Sequence, residues 1–204
     1  MSDFFHPSIF FVSSAVLLCL LPGRIGRWLP PVASALAVIS VLSMSSGVHD
    51  RITYLGLTLT MGRVDALSLV FAHVFAIQAL IGFIYALHVE DKWQHVAASM
   101  YISGAFGCTF AGDFLTLFIF WEVMSVSSTF LVWLRRVDAS TKAGIRYFLF
   151  HTFGGLLLLA GYLLRYKATG TYAFKSIMPS AAPHYDYLII LVFCVNAAVI
   201  SHHT

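Results

Sequence analysis

The chain has 204 residues, 59% of them hydrophobic and only 10% charged, with a formal net charge of +3. Soluble domains carry about 25% charged residues, so too little charge is present to coat a water-facing surface, and lipid is the expected solvent. The cations are spread between apolar runs instead of gathered on one face, which excludes a nucleic-acid binder.

A helix crossing a hydrocarbon core about 30 Å thick needs about 20 apolar residues. That ruler predicts spans at Pro7 to Leu21, Trp28 to Ser46, Val64 to Leu87, His95 to Ala111, Phe114 to Leu134, Ile145 to Tyr166 and Tyr187 to about Ser201. The first run lacks the positive head of a signal peptide and is kept as a span. Between the spans lie Pro22 to Arg24, Gly47 to Arg63, His88 to Lys92, Gly112-Asp113, Arg135 to Gly144 and Lys167 to Asp186, all loop-like in composition. Trp28, Trp93 and Trp133 fall at span ends, where indoles favour the interface. The expected fold is therefore all-α, a polytopic transmembrane bundle of about seven helices. Residues 1–63 would hold two N-terminal spans and residues 64–204 spans three to seven.

Lys and Arg counted in alternate loops favour an outside N-terminus in a bacterial or archaeal cell membrane, with Arg135, Arg136, Lys142 and Arg146 as the strongest inside cluster. Cys19, Cys108 and Cys194 each sit in an apolar run without C-x-x-C spacing, so they read as small buried hydrophobes. No metal and no cofactor is expected. Gly104, Gly107 and Ala111, and Gly154 and Gly161, put small residues at helical spacing for close helix approach.

An ionisable side chain in mid-membrane costs at least a few kcal/mol, about 2.5 or more on insertion scales, and is a functional candidate by default. Glu122 is the clearest case, about 12 Å along its span from Phe114 at 1.5 Å per residue. A carboxyl there can take up and give back a proton, the property of a relay, or it can stay protonated and merely structural. His73 comes about 14 Å into the third span and His151 about 9 Å into the sixth from the opposite side. Each is either hydrogen-bonded packing or part of a proton path. Arg146 is either a second member of that path or a headgroup anchor, and Lys142 reads as an anchor. Asn196 is expected at nearly the depth of Glu122, whereas Asp65 and Asp113 read as helix caps.

Gly112-Asp-Phe-Leu-Thr-Leu-Phe-Ile-Phe-Trp-Glu-Val-Met-Ser125, Lys142-Ala-Gly-Ile-Arg-Tyr-Phe-Leu149 and Gly154-Gly-Leu-Leu-Leu-Leu-Ala-Gly161 resemble the antiporter-like proton-translocating subunits of respiratory complex I. The related subunits of multisubunit sodium/proton antiporters and membrane-bound hydrogenases share the pattern, of which Trp121-Glu122 is the specific part. The resemblance implies the first half of a fourteen-helix subunit built from two inverted repeats. It also implies Glu122 as a central relay, other membrane subunits as partners, and protons, with sodium as the exchange option, as cargo. Many members have Lys where Asn196 stands, which makes Arg146 or His151 the expected partner of Glu122. A Pro usual in the broken seventh helix is Ser201 here, and Thr204 comes before the second repeat would begin. Two other readings stand beside translocation: a structural or assembly subunit, and a haem-binding membrane protein. Haem needs two His facing each other at one depth, and His73 and His151 differ by about 7 Å in expected depth.

Overall fold

The structure, a computed structural model, describes residues 5–21, 26–54 and 57–170. In chain order these form α1 (Pro7–Leu20), α2 (Leu29–Leu42), β1 (Gly47–Tyr54), β2 (Leu57–Val64) and α3 (Ala66–Tyr85), which a 3₁₀ turn at Ala86–His88 extends. They continue with α4 (Lys92–Phe110), α5 (Phe114–Trp133) and α6 (Asp138–Thr169).

Helix starts are set by side-chain caps. Asp65 accepts the Ser68 N–H (2.8 Å) while its own N–H donates to Ser68 Oγ (2.8 Å), a reciprocal capping box opening α3. The Ser68 N–H holds the Asp65 carboxyl below the usual carboxylate range. Asp91 accepts the Trp93 N–H at the head of α4, and Asp113 the Thr116 N–H at the head of α5. At the far end of α6, Gly170 takes φ 70°, the left-handed conformation that ends a helix most cheaply when no Cβ is present.

Helix α3 turns mostly small residues inward and large ones outward. On α3, Ser68, Ala72, Ala76, Ala79 and Phe83 face inward, while Leu67, Val70, Val74, Ile77, Ile81 and Ile84 are exposed. A helix in water would reverse this arrangement; in lipid, association rests on close packing of small surfaces, and the bulky apolar face meets acyl chains. Phe11 of α1 stacks on Phe83 and Phe106, with centroids 6.3 and 5.6 Å away, at the centre of a core shared by α1 to α4. Helix α4 lies against α5 so closely at Gly104 that a Cβ would stand 3.0 Å from the Met124 backbone nitrogen. Helix α6 joins the bundle through α5.

Three expectations are corrected. Six helices occur among the described residues, and three are long and apolar enough to cross a membrane: Ala66–His88, Phe114–Trp133 and Ser140–Lys167. About seven spans was therefore an overcount. Helices α1 and α2 have 14 residues each, about 21 Å against a core of about 30 Å. Helix α4 is long enough but carries Lys92, Gln94, His95, Ser99, Ser103 and Thr109. The expected span from Tyr187 lies outside the described residues.

Second, the fold is not purely helical. The supposed loop from Gly47 is an antiparallel hairpin with Gly47 opposite Val64, Arg51 opposite Thr60 and Tyr54 opposite Leu57. Its polar composition hid a run of Val, Ile, Thr and Tyr that alternates with polar residues and suits a pleated strand. Third, the expected loop Arg135 to Gly144 is short, because α6 begins at Asp138. The cysteines also divide: Cys108 is half-buried, but Cys19 is exposed on the outer face of α1, and Cys194 lies outside the described residues.

Candidate functional site

Helices α5 and α6 run antiparallel along one seam, with side chains meeting in order along its length. From one end, the Trp133 indole fits against Gly144, and the hydroxyls of Ser128 and Tyr147 are hydrogen-bonded at 3.1 Å. Trp121 and Tyr147 flank His151, with ring centroids 6.3 and 4.5 Å away. The Glu122 carboxyl and Phe118 lie over Gly155, and Phe114 tilts against Tyr162 at 4.5 Å. Residues 147, 151, 155, 158 and 162 recur at steps of four and three, which puts them on one stripe of α6.

The middle of this seam is polar and sparsely paired. Glu122 Oε1 and both ring nitrogens of His151 are buried without a hydrogen-bond partner among the described residues, as are Ser125 Oγ and Thr152 Oγ1. Native structures leave few such groups, and each calls for an explanation, an ion or a functional role among them. Towards the hairpin end the seam turns apolar, through Phe114, Phe118, Leu158 and Tyr162. There the Arg165 guanidinium, in a residue only 5% exposed, lies 5.4 Å over the Phe114 ring.

Of the residues singled out in the sequence and described by the structure, Glu122 and His151 are brought to this seam, whereas Arg146 and His73 are not. Arg146 is exposed; nine residues before Gly155, it lies about 180° around α6 from the Glu122-facing stripe. His73 donates from Nδ1 to the Leu69 carbonyl of its own helix (2.6 Å), on α3, which packs against α2 and α4. His73 and His151 thus sit on helices that do not pair, so the facing geometry of a bis-histidine haem site is not formed by them. Asn196 and Ser201 lie outside the described residues. Tyr147, Gly155, Tyr162 and Arg165 were missed. Their four-and-three spacing with His151 puts them on one stripe of α6, but nothing in the sequence says that this stripe meets α5.

The other end of α5 is clamped. Asp113 accepts the Thr116 N–H and hydroxyl (2.8 Å each) and, across the fold, the Thr60 N–H of the hairpin (2.6 Å). The Gly112 N–H donates to the Thr60 carbonyl (2.9 Å), and a Cβ at Gly112 would run into the Thr60 side chain. His6 adds a further tie. Its Nδ1 accepts from Ser8 N–H (3.2 Å), which leaves Nε2–H to donate to the Met61 carbonyl (3.1 Å). Burial pushes the His6 imidazole down to about 4, so it is neutral at pH 7.

This architecture resembles that of antiporter-like membrane subunits. Residues 111–202 match the family described as NADH:quinone oxidoreductase/Mrp antiporter, transmembrane region, and the resemblance read from the sequence is supported. The putative antiporter subunit mnhA2 of Staphylococcus saprophyticus is 29% identical over 191 residues, covering 86% of this chain and 24% of the relative. The chain thus spans about a quarter of that relative's length. The fold is shared with a chain of the Mrp complex from a Dietzia species (TM-score 0.79, 20% identity, 94% of this chain and 23% of the other). It is shared as well with a chain of the membrane-bound sulfane sulfur reductase, an archaeal respiratory membrane complex (TM-score 0.78, 23% identity, 94% and 32%).

Proposed function

We propose that this chain moves protons, with sodium as the exchange option, within a membrane-embedded antiporter-like or complex I-like assembly, and that Glu122 is the group that carries them. The observation behind this reading is a carboxyl oxygen buried mid-span without a hydrogen-bond partner among the described residues, on a seam it shares with His151. A group of this kind is costly to keep in a membrane interior unless it binds and releases a charge. His151, one helical turn from Gly155, is the nearest exchange partner on α6. Arg146 serves the headgroups on the opposite face, and His73 is held by its own helix. The chain does no bond chemistry in this reading; other membrane subunits supply the driving reaction or the counter-ion.

Glu122→Gln in the assembled complex tests it. Gln keeps the size of the side chain but cannot take up and release a proton, so assembly should survive and flux should stop. Equal flux by variant and unmutated complex, in vesicles matched for assembled protein, would overturn the relay role.

A further inference from the structure

We infer that Gly155 is a positioning residue for Glu122: the missing side chain at 155 is the space the carboxyl occupies. The inference rests on the relay reading above but makes a separate claim about geometry. An ideal Cβ built at Gly155 would collide with Glu122 Oε1 and stand 3.2 Å from its Cδ and 3.6 Å from Phe118 Cε2. The carboxyl therefore lies directly on the α6 backbone, with the Phe118 ring beside it. It needs no donor to fix it there, because α6 closes one side and Phe118 another.

Glycine within a helix is otherwise unfavourable, by roughly 0.5 to 1 kcal/mol relative to alanine, so a glycine here calls for a reason. At Gly82 of α3 an added Cβ would meet nothing within 4 Å. At Gly155 it meets the Glu122 carboxyl. The atom in the way is the far end of a flexible side chain, so alanine at 155 can be accommodated by swinging Glu122 aside. The fold survives that change, and the carboxyl loses its place one turn from His151. Gly155 thereby sets both the height of the carboxyl along the seam and the side of α5 on which it lies.

The test is a double-variant experiment on the complex in native membrane vesicles, with proton flux followed by a pH-sensitive dye. Gly155→Ala should assemble at unmutated levels and lose flux by about a hundredfold, the scale expected when a reacting group is displaced by about an ångström. Glu122→Asp withdraws the carboxyl by one methylene and should itself lose flux, but Gly155→Ala added to it should cost little more, because the shorter side chain no longer reaches the added methyl. Gly82→Ala is the control and should be silent. If Glu122→Gln stops flux and Gly155→Ala does not, the positioning role is wrong while the relay stands. If the losses of Gly155→Ala and Glu122→Asp simply add in the double variant Gly155→Ala/Glu122→Asp, the loss is general packing damage and the inference is again wrong. If Glu122→Gln itself is silent, the relay reading falls and takes the positioning role with it.

Discussion

Removing the Asp113 carboxylate should loosen the hairpin from the bundle, because one side chain satisfies three donors on two elements. In Asp113→Ala, loss of the helix cap costs about 1 kcal/mol. The Thr60 N–H, which donates to Asp113 at 2.6 Å, adds roughly 1 to 3 kcal/mol if left unpaired. Together these give about 3 kcal/mol, or about two orders of magnitude in a local opening equilibrium. Amide hydrogen exchange read by mass spectrometry on peptides from residues 57–64 should accelerate by that factor, and the first turn of α5 should follow. Asp65→Ala is the comparison: it removes the Ser68 cap of its own helix and an exposed ion pair to Arg63 of β2 (3.6 Å), worth about 1 kcal/mol or less, so it should cost about 1 to 2 kcal/mol and disturb the hairpin far less than Asp113→Ala. Unchanged exchange over residues 57–64 in Asp113→Ala, with fraying confined to α5, would mean that the Gly112 and His6 ties hold the hairpin unaided and that the clamp reasoning is wrong.

His6 titrates well below its ordinary value near 6.5, so the unfolded chain binds the extra proton first. Thermal stability of the solubilised chain should then be full above about pH 6.5 and fall towards pH 4, by about 3 kcal/mol at most, and His6→Gln should flatten that slope. Topology is tested with single cysteines in a cysteine-free background, at Val137 and Ile52, which are 52% and 50% exposed at opposite ends of α5. An impermeant thiol reagent should reach Val137→Cys only from the cytoplasm and Ile52→Cys only from outside; the reverse pattern would invert the orientation. Gly104→Ala, where the obstruction is Met124 and Phe120 backbone, should destabilise by about 1 to 3 kcal/mol in a denaturant or heating series. Gly82→Ala should be neutral or stabilising by up to about 1 kcal/mol.

Helix positions were legible where charge or proline punctuates apolar runs: Phe114 to Leu134 was expected for α5, which closes at Trp133. Crossing competence was not, because an apolar run and a membrane span differ in length. Helices α1 and α2 fall short by a third, and the small and polar residues of α4 are explained by burial against α1 and α5. The hairpin was missed because its strands are judged by alternation, which a hydropathy window averages away. At the site, Glu122 could be picked out because a carboxyl in a run of Phe, Ile and Trp has no cheap excuse. Gly155 could not, since its role depends on which α6 face meets α5. Arg146 lies on another face of α6: nearness in sequence to His151 says nothing about helical phase.

Helix α6 is bracketed by Lys142 and Lys167, 25 residues apart, which sets their backbones about 38 Å from each other. The hydrocarbon between them is about 30 Å thick, so each ammonium reaches water only while the helix keeps its height. Sliding α6 along its own axis by two turns in either direction would draw one lysine into lipid, at about 2.5 to 3.5 kcal/mol near the centre. A piston stroke of the seam is thus opposed in both directions, whereas rotation about the axis leaves both charges where they are. Any movement that changes what Glu122 faces should therefore be a turn of α6 or a swing of the side chain, and distance measurements between α5 and α6 labels should report changes of angle with almost no change of register.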